Sequence, residues 1–160
     1  MAAPTIKVLD GAVWITGAIN EFSDFSAVPA GLSPLRLNLS QVTGMNSSGV
    51  REFIGFVAGL GQTPVAYVDC SWPMVETMLM IPSLLGGENQ TVRIESLACP
   101  YRCAGCDADV TVMVAGRDIQ CREAAVGLPP QRCPTCRRPL TAAEIASEFA
   151  NFFALGALGG

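Results

Sequence analysis

Apolar and polar residues alternate over several short stretches in the N-terminal part of the chain. The clearest case is Pro34–Ser40, where every second side chain is apolar, as is typical of a half-buried strand. Two other stretches flank Asp10 and Gly11, a dipeptide that favours a tight hairpin turn. Together these patterns predict strands over Thr5–Leu9, Ala12–Ile19, Pro34–Ser40, Val65–Asp69 and Thr91–Leu97.

Between these strands, apolar residues recur at helical spacing. Ser47–Leu60 places them three and four positions apart, which predicts a helix with one buried face. A second helix is expected after Ser71, a good N-cap, with Pro73 in its first turn and its end near Met80, before Pro82. Because strands and helices are interleaved, the order β-β-β-α-β-α-β predicts an α/β fold with a mixed sheet.

Charge is distributed unevenly over the 160 residues, whose formal net charge is −4. Residues 1–97 carry four basic and eight acidic residues, and we assign them to the α/β domain. Residues 98–140 carry six arginines and four acidic residues and form a candidate cysteine-rich module. Within it, Val110–Val114 alternates as a strand, and Arg117–Cys121 is its expected hairpin partner.

Residues 141–160 are expected to form a terminal helix and tail. Thr141 and Glu144 match a capping box, which predicts an amphipathic helix over Thr141–Leu155. The glycine-rich end that follows is expected to fray. The helix carries an apolar stripe that either packs within the chain or forms a dimer seam: Ile145, Phe149, Phe152 and Phe153.

The composition excludes several classes of function. The chain contains no histidine, which excludes Ser-His-Asp and Cys-His catalysis and mixed Cys/His metal sites. Half of the residues are apolar and 15% are charged, which excludes a disordered chain. The sequence has no signal-peptide pattern and no apolar run of the roughly 20 residues that span a bilayer, so a cytoplasmic location is expected.

Two CxxC pairs form the most specific motif. Cys103 and Cys106 are followed, after 26 intervening residues, by Cys133 and Cys136. Each pair can turn both sulfurs to one side, so that four thiolates converge on one tetrahedral zinc ion. This region resembles a zinc ribbon, which implies one structural zinc per chain. A redox dithiol is the alternative use of such pairs.

The other cysteines are assigned less directly. Cys99 competes with Cys103 as a ligand, but the equal spacing of the two CxxC pairs favours Cys103. Cys121 falls in an expected strand, and Cys70 immediately precedes the Ser71 cap. We expect both to be packed as small apolar residues rather than bound to metal.

A second motif lies between the third strand and the first helix. Ser47, Ser48 and Gly49 occupy the first turn of the expected helix, where free backbone N–H groups favour a negative charge. A phosphate on Ser47 or Ser48 would be accommodated there. The alternative is that these serines only cap the helix.

Residues 5–97 resemble the STAS domain, the family that includes bacterial anti-sigma factor antagonists. The resemblance rests on the strand before Asn46-Ser47-Ser48-Gly49 and on the amphipathic helix after it. It implies a STAS-like mixed sheet and a phosphorylated residue at Ser47. Asn46 and Asn38 stand where the family usually has Asp, which removes negative charge and leaves a non-switching scaffold as an alternative.

These features predict a non-enzymatic bacterial signalling or scaffold protein that acts by protein–protein contact around Ser47 and Ser48. The expected partner is a regulatory kinase or another signalling protein, and the chain itself is a candidate homo-oligomer. The alternative is a zinc-ribbon nucleic-acid adaptor that uses Arg132, Arg137 and Arg138. The acidic balance opposes that alternative, since these arginines can also balance the charge of a zinc ion bound by four thiolates.

Overall fold

A mixed five-stranded sheet is formed by the N-terminal part of the chain. The computed structural model describes residues 2–90 and 92–159. The sheet order follows the sequence: β1 pairs antiparallel with β2, and every later pairing is parallel. The strands are β1 (Thr5–Leu9), β2 (Ala12–Ile19), β3 (Leu35–Met45), β4 (Val65–Val68) and β5 (Val92–Ile94). Thr91, the first residue of the last predicted strand, lies outside the described residues.

Two helices connect the parallel strands. Helix α1 (Ser47–Gly59) follows β3 and α2 (Trp72–Met80) follows β4, each close to its predicted range. Ser71 caps α2 as expected, and its side chain accepts a hydrogen bond from the Met74 N–H. The α1 side chain of Phe53 is fully buried, with its ring 5.8 Å from that of Tyr67 on β4. The predicted α/β class with a mixed sheet is therefore confirmed.

A second, three-stranded sheet begins at the end of the first. Its central strand, β6 (Ser96–Cys103), follows β5 after a break at Glu95. Cys70 joins the sheets: its N–H donates to Ser96 at 3.0 Å, and its carbonyl accepts from Ala98 at 2.8 Å. Its outer strands are β7 (Ala108–Ala115) and β10 (Thr141–Ala142). A separate two-stranded sheet consists of β8 (Gln120–Arg122) and β9 (Ala125–Gly127).

The predicted hairpin between Val110–Val114 and Arg117–Cys121 is wrong. The first segment is part of β7, but β7 pairs with β6, whereas β8 pairs with β9. Gly116 explains the difference, since its N–H donates to the Glu95 carbonyl at 2.7 Å and starts a short 3₁₀ turn. A Cβ at Gly116 would lie 2.6 Å from the Ile94 carbonyl oxygen, so the chain is directed away from β7 by close packing.

The predicted terminal helix begins later than expected. Thr141 and Ala142 form β10 and pair with β6, so they are not available as a helix cap. The Thr141 hydroxyl donates to the Arg102 carbonyl, and the capping-box prediction is therefore wrong. A 3₁₀ segment (Glu144–Phe149) and the short helix α3 (Ala150–Ala154) follow.

The C-terminal segment packs within the chain. Phe149 and Phe152 are buried in the core, Phe153 is half-buried and Ile145 remains partly exposed. Beyond them, Ala157 and Leu158 are also buried, and the Ala157 carbonyl accepts from the Ile94 N–H at 2.9 Å. The prediction that the tail frays is therefore wrong at Ala157 and Leu158, which are buried and cover β5.

No helix in the described part of the chain is both long and apolar enough to cross a membrane.

Candidate functional site

The four cysteines of the CxxC pairs lie together. Their sulfur atoms are all within 4.8 Å of one another. The Cys103 and Cys136 sulfurs are 3.4 Å apart, and those of Cys106 and Cys133 are 3.8 Å apart. Four sulfurs at about 2.3 Å around a tetrahedral ion would be about 3.8 Å from one another. The cluster therefore has the composition and spacing of a metal site.

Two similar turns bring these sulfurs together. Cys103 is the last residue of β6, and the Cys106 N–H points back to its sulfur at 3.4 Å. In the second turn, the Arg137 N–H donates to the Cys133 carbonyl at 2.9 Å. The residue after each pair, Asp107 or Arg137, has a positive φ, 51° and 66° respectively. Each turn thus reverses the chain directly after its second cysteine.

Burial differs across the cluster. Cys103 and Cys133 are buried, Cys136 is half-buried and Cys106 is exposed. The ion would therefore lie near the surface, with one side closed by the end of β6.

The thiols of the cluster do not ionise alike. Backbone N–H groups of Cys136 and Thr135 lower the pKa of Cys133 to about 6. Hydrogen bonds with the neighbouring thiols, that of Cys136 foremost, raise the pKa of Cys106 to about 12. A divalent cation would offset repulsion among the thiolates and favour ionisation of the whole cluster.

The other cysteines lie outside this cluster. Cys99 is buried on β6, and burial raises the pKa of its thiol to about 12. Burial also raises the pKa of Cys70, with the nearby Asp69 carboxylate as a smaller cause. Cys121 is half-buried on β8. The structure therefore brings Cys103 rather than Cys99 into the group, as the spacing predicted.

Arginines contact both cysteine turns. The Arg138 side chain covers Gly105, where a Cβ would lie 2.8 Å from the Arg138 Cδ. Arg132 donates to the Arg137 carbonyl at 2.9 Å. Arg102, which the sequence did not single out, pairs with Asp107 and with Asp109. These contacts place Arg138 against the first cysteine turn and Arg132 against the second, whereas the charge of Arg102 is paired with carboxylates.

Tyr101 also supports the cluster without any local sequence signal. It is buried on β6, two residues before Cys103, and its hydroxyl donates to the Pro129 carbonyl at 2.7 Å. This bond holds the segment that leads to the second cysteine pair. This role becomes visible only in the fold, which brings Pro129 next to Tyr101 on β6.

Ser47 is the first residue of α1 and is exposed, while Ser48 is half-buried. Asn46 is the N-cap: its side-chain oxygen accepts from the Gly49 N–H at 2.7 Å. Its amide also donates to Glu21 at 2.9 Å. In the described part of the chain, no group hydrogen-bonds to the Ser47 hydroxyl. The alternative that the serines cap this helix is therefore wrong.

Asn38 has a different role from Asn46. Its side-chain oxygen accepts from the Ser40 N–H at 3.0 Å and from the Ser40 hydroxyl at 2.6 Å. It precedes the end of β3 by seven residues, which is roughly 20 Å along a strand. Asn38 therefore supports β3 and does not contribute to the surface at Ser47.

Comparisons with protein-family models, with curated proteins and with solved structures find no match to this chain. The geometry of the cysteine cluster and of the Ser47 turn carries the functional argument.

Proposed function

We propose that the protein is a non-enzymatic bacterial signalling or scaffold protein that acts by protein–protein contact through the surface at Ser47. The observation that carries this proposal is the exposed Ser47 at the start of α1, whose hydroxyl is left free because Asn46 caps the helix. A serine in this position is accessible to a kinase and to a partner's surface.

The proposed STAS-like character of the first part rests on topology as well as on the Ser47 motif. An antiparallel β1–β2 pair is followed by β3-α1-β4-α2-β5 with parallel pairing. That order agrees with the resemblance drawn from Asn46-Ser47-Ser48-Gly49. It supports an arrangement in which the turn between β3 and α1 is the contact region.

We infer zinc as the ion of the cysteine cluster. Four thiolates are a closed ligand set that leaves no position for a substrate, which is typical of structural zinc. Zinc bound in this way would stabilise the small second sheet, and a tightly held ion opposes use of the cysteine pairs in redox cycling. The proposed role of the metal is therefore structural.

Phosphorylation of Ser47 would act on docking rather than on folding. A phosphate there adds roughly 1.5 to 2 negative charges next to free N–H groups at the helix start, which tolerate it. The Glu21 carboxylate, which accepts a hydrogen bond from the Asn46 amide, already places one negative charge beside this turn, and the phosphate would add to it. The added charge would repel an acidic partner and impose a desolvation cost on an apolar one.

The Ser47→Asp variant tests this proposal. We expect it to weaken binding of a partner recovered from native lysate by about tenfold, or about 1.4 kcal/mol, while Ser47→Ala binds normally. Isothermal titration calorimetry with the purified partner measures both. Ser83→Asp is the matched control, because Ser83 is exposed on a different turn. Equal affinity for wild type, Ser47→Asp and Ser47→Ala would contradict the proposal.

A further inference from the structure

A groove runs along one side of α2. Its first part is a cavity of about 370 Å³ between the end of β3, α2 and the 3₁₀ segment Glu144–Phe149. Its second part is a cavity of about 320 Å³ between α2, the same 3₁₀ segment and the face of the β6–β7 pair. Glu76 and Ile145 line both cavities, so the two parts are adjacent.

The wall of this α2 groove includes exposed apolar side chains. Met80, at the end of α2, is 73% exposed, and Ile145 is 38% exposed. Leu79 and Trp72 are half-buried along the same wall. Met74 and Met78 are buried, but Met80 is left in solvent, where a flexible thioether can adapt to an incoming surface.

The charged residues that line the groove are all acidic. They are Glu76 and Glu148 in the first cavity, and Glu76 and Asp109 in the second. Asp109 is paired with Arg102 at 3.1 Å. Glu76 and Glu148 are exposed, and neither forms an ion pair with any residue in the described ranges. Two carboxylates therefore flank an apolar surface without a cation to balance them.

We propose that the α2 groove binds a basic, amphipathic segment of a partner protein. Apolar side chains of that segment would cover Met80 and Ile145, and its lysines or arginines would pair with Glu76 and Glu148. This inference rests on the proposed function and extends it. The groove ends at Gly44 and Met45, shortly before Ser47. A partner whose basic segment fills the groove can therefore also reach the turn at Ser47, where a different, acidic or apolar part of the partner would make the contact.

Charge complementarity selects this occupant over others. Glu76 and Glu148 repel the phosphates of nucleic acids and of anionic lipid headgroups. Lysine and arginine side chains would form ion pairs with these carboxylates, and apolar side chains of the same segment would shield the apolar wall from water. The combination of both features in one segment is what the groove recognises.

The test uses two labelled helical peptides with the same leucine-rich face, one with lysines and one with glutamates on the polar face. Fluorescence anisotropy with the full chain should show binding of the lysine peptide alone. Glu76→Lys with Glu148→Lys should weaken that binding roughly tenfold or more and allow the glutamate peptide to bind. Met80→Gln should weaken it without reversing the preference.

Glu52→Lys is the control for general charge effects, because Glu52 is exposed on α1 and does not line the groove. It should leave the affinity for the lysine peptide within about twofold of wild type, as expected for a distant surface charge. Circular dichroism of each variant checks that the fold is retained. Amide resonance shifts on peptide addition should be confined to α2, Met45 and the segment around Ile145.

The inference would be overturned by equal loss in the Glu52→Lys control, by no loss in the double glutamate variant, or by peptide-induced shifts elsewhere on the chain. Self-association of the chain that depends on Glu76 would also overturn it, in favour of a second copy as occupant. Failure here can be separated from failure of the proposed function, because Ser47→Asp would still weaken the partner from lysate if only the groove assignment is wrong.

Discussion

Gly49 lies at the closest contact between α1 and the end of β2. A Cβ built there would lie 2.1 Å from the Ile19 carbonyl oxygen and 2.5 Å from its carbon. The Asn46 N–H donates to the same carbonyl at 3.2 Å. The position of the Ser47 turn therefore depends on the absence of a side chain at Gly49 as much as on the Asn46 cap.

Replacing Gly49 by alanine should destabilise the protein by about 2 kcal/mol, because backbone atoms of β2 cannot yield as a flexible side chain would. The matched control is Gly55→Ala in the same helix, where a Cβ meets nothing within 4 Å. That control should stabilise the protein by about 0.5–1 kcal/mol through higher helix propensity. Urea denaturation of both variants measures the difference, and equal effects would refute the role given to Gly49.

Elements with local signals could be predicted from the sequence. Asp10 and Gly11 both have positive φ, 52° and 76°, as the tight turn between β1 and β2 requires. The apolar spacing that predicted α1 corresponds to buried side chains at Phe53 and Val57. In these cases the information lies within a few neighbouring residues, which periodicity can read.

Elements that depend on distant partners could not be predicted. The capping pattern at Thr141 is sound locally, but β10 pairs with β6 some forty residues earlier, and that pairing competes with the helix start. Burial of the tail likewise depends on a distant partner, since the Ala157 carbonyl accepts a hydrogen bond from the Ile94 N–H at the outer edge of β5. An edge strand such as β5 leaves backbone groups to be covered, but the sequence of the segment that covers them carries no signal of this.

The C-terminal tail should contribute measurably to stability. Leu158 is 2% exposed and packs against Gly116, so Leu158→Ala should lower the free energy of unfolding by about 3 kcal/mol. Leu155, which is 55% exposed, is the control, and Leu155→Ala should change stability by less than about 0.5 kcal/mol. Thermal unfolding compares the two. A neutral Leu158→Ala variant would mean that the tail does not cover β5 in solution.

At the scale of the whole molecule, β6 links the candidate metal site to the first sheet. The strand begins at Ser96, which bonds to Cys70 beside β4, and ends at Cys103 in the cysteine cluster. The predicted division between residues 97 and 98 falls within this strand. A metal ion bound at Cys103 would therefore act on a strand that is held at its other end by the α/β sheet.

The candidate sites differ in how far the sequence predicts them. The spacing of the CxxC pairs is local, and it identified the four cysteines that the fold brings together. The α2 groove could not be predicted, because Met80, Ile145 and Asp109 come from three separate elements that meet only in the fold. The free hydroxyl of Ser47 could not be predicted either, because Asn46 and Ser47 are both good N-cap residues. Only the hydrogen bond from the Gly49 N–H to the Asn46 side chain shows which of them caps the helix.

The metal content of the purified chain tests the proposed zinc centre, the most specific claim made for this protein, most directly. Protein prepared without chelators should hold one zinc per chain by plasma mass spectrometry, and the Cys133→Ser, Cys136→Ser double variant should hold none. The Cys99→Ser variant, which alters a buried cysteine outside the cluster, is the control and should keep its zinc. Zinc well below one equivalent in the wild type, or full zinc in the double variant, would contradict a metal centre built from Cys103, Cys106, Cys133 and Cys136.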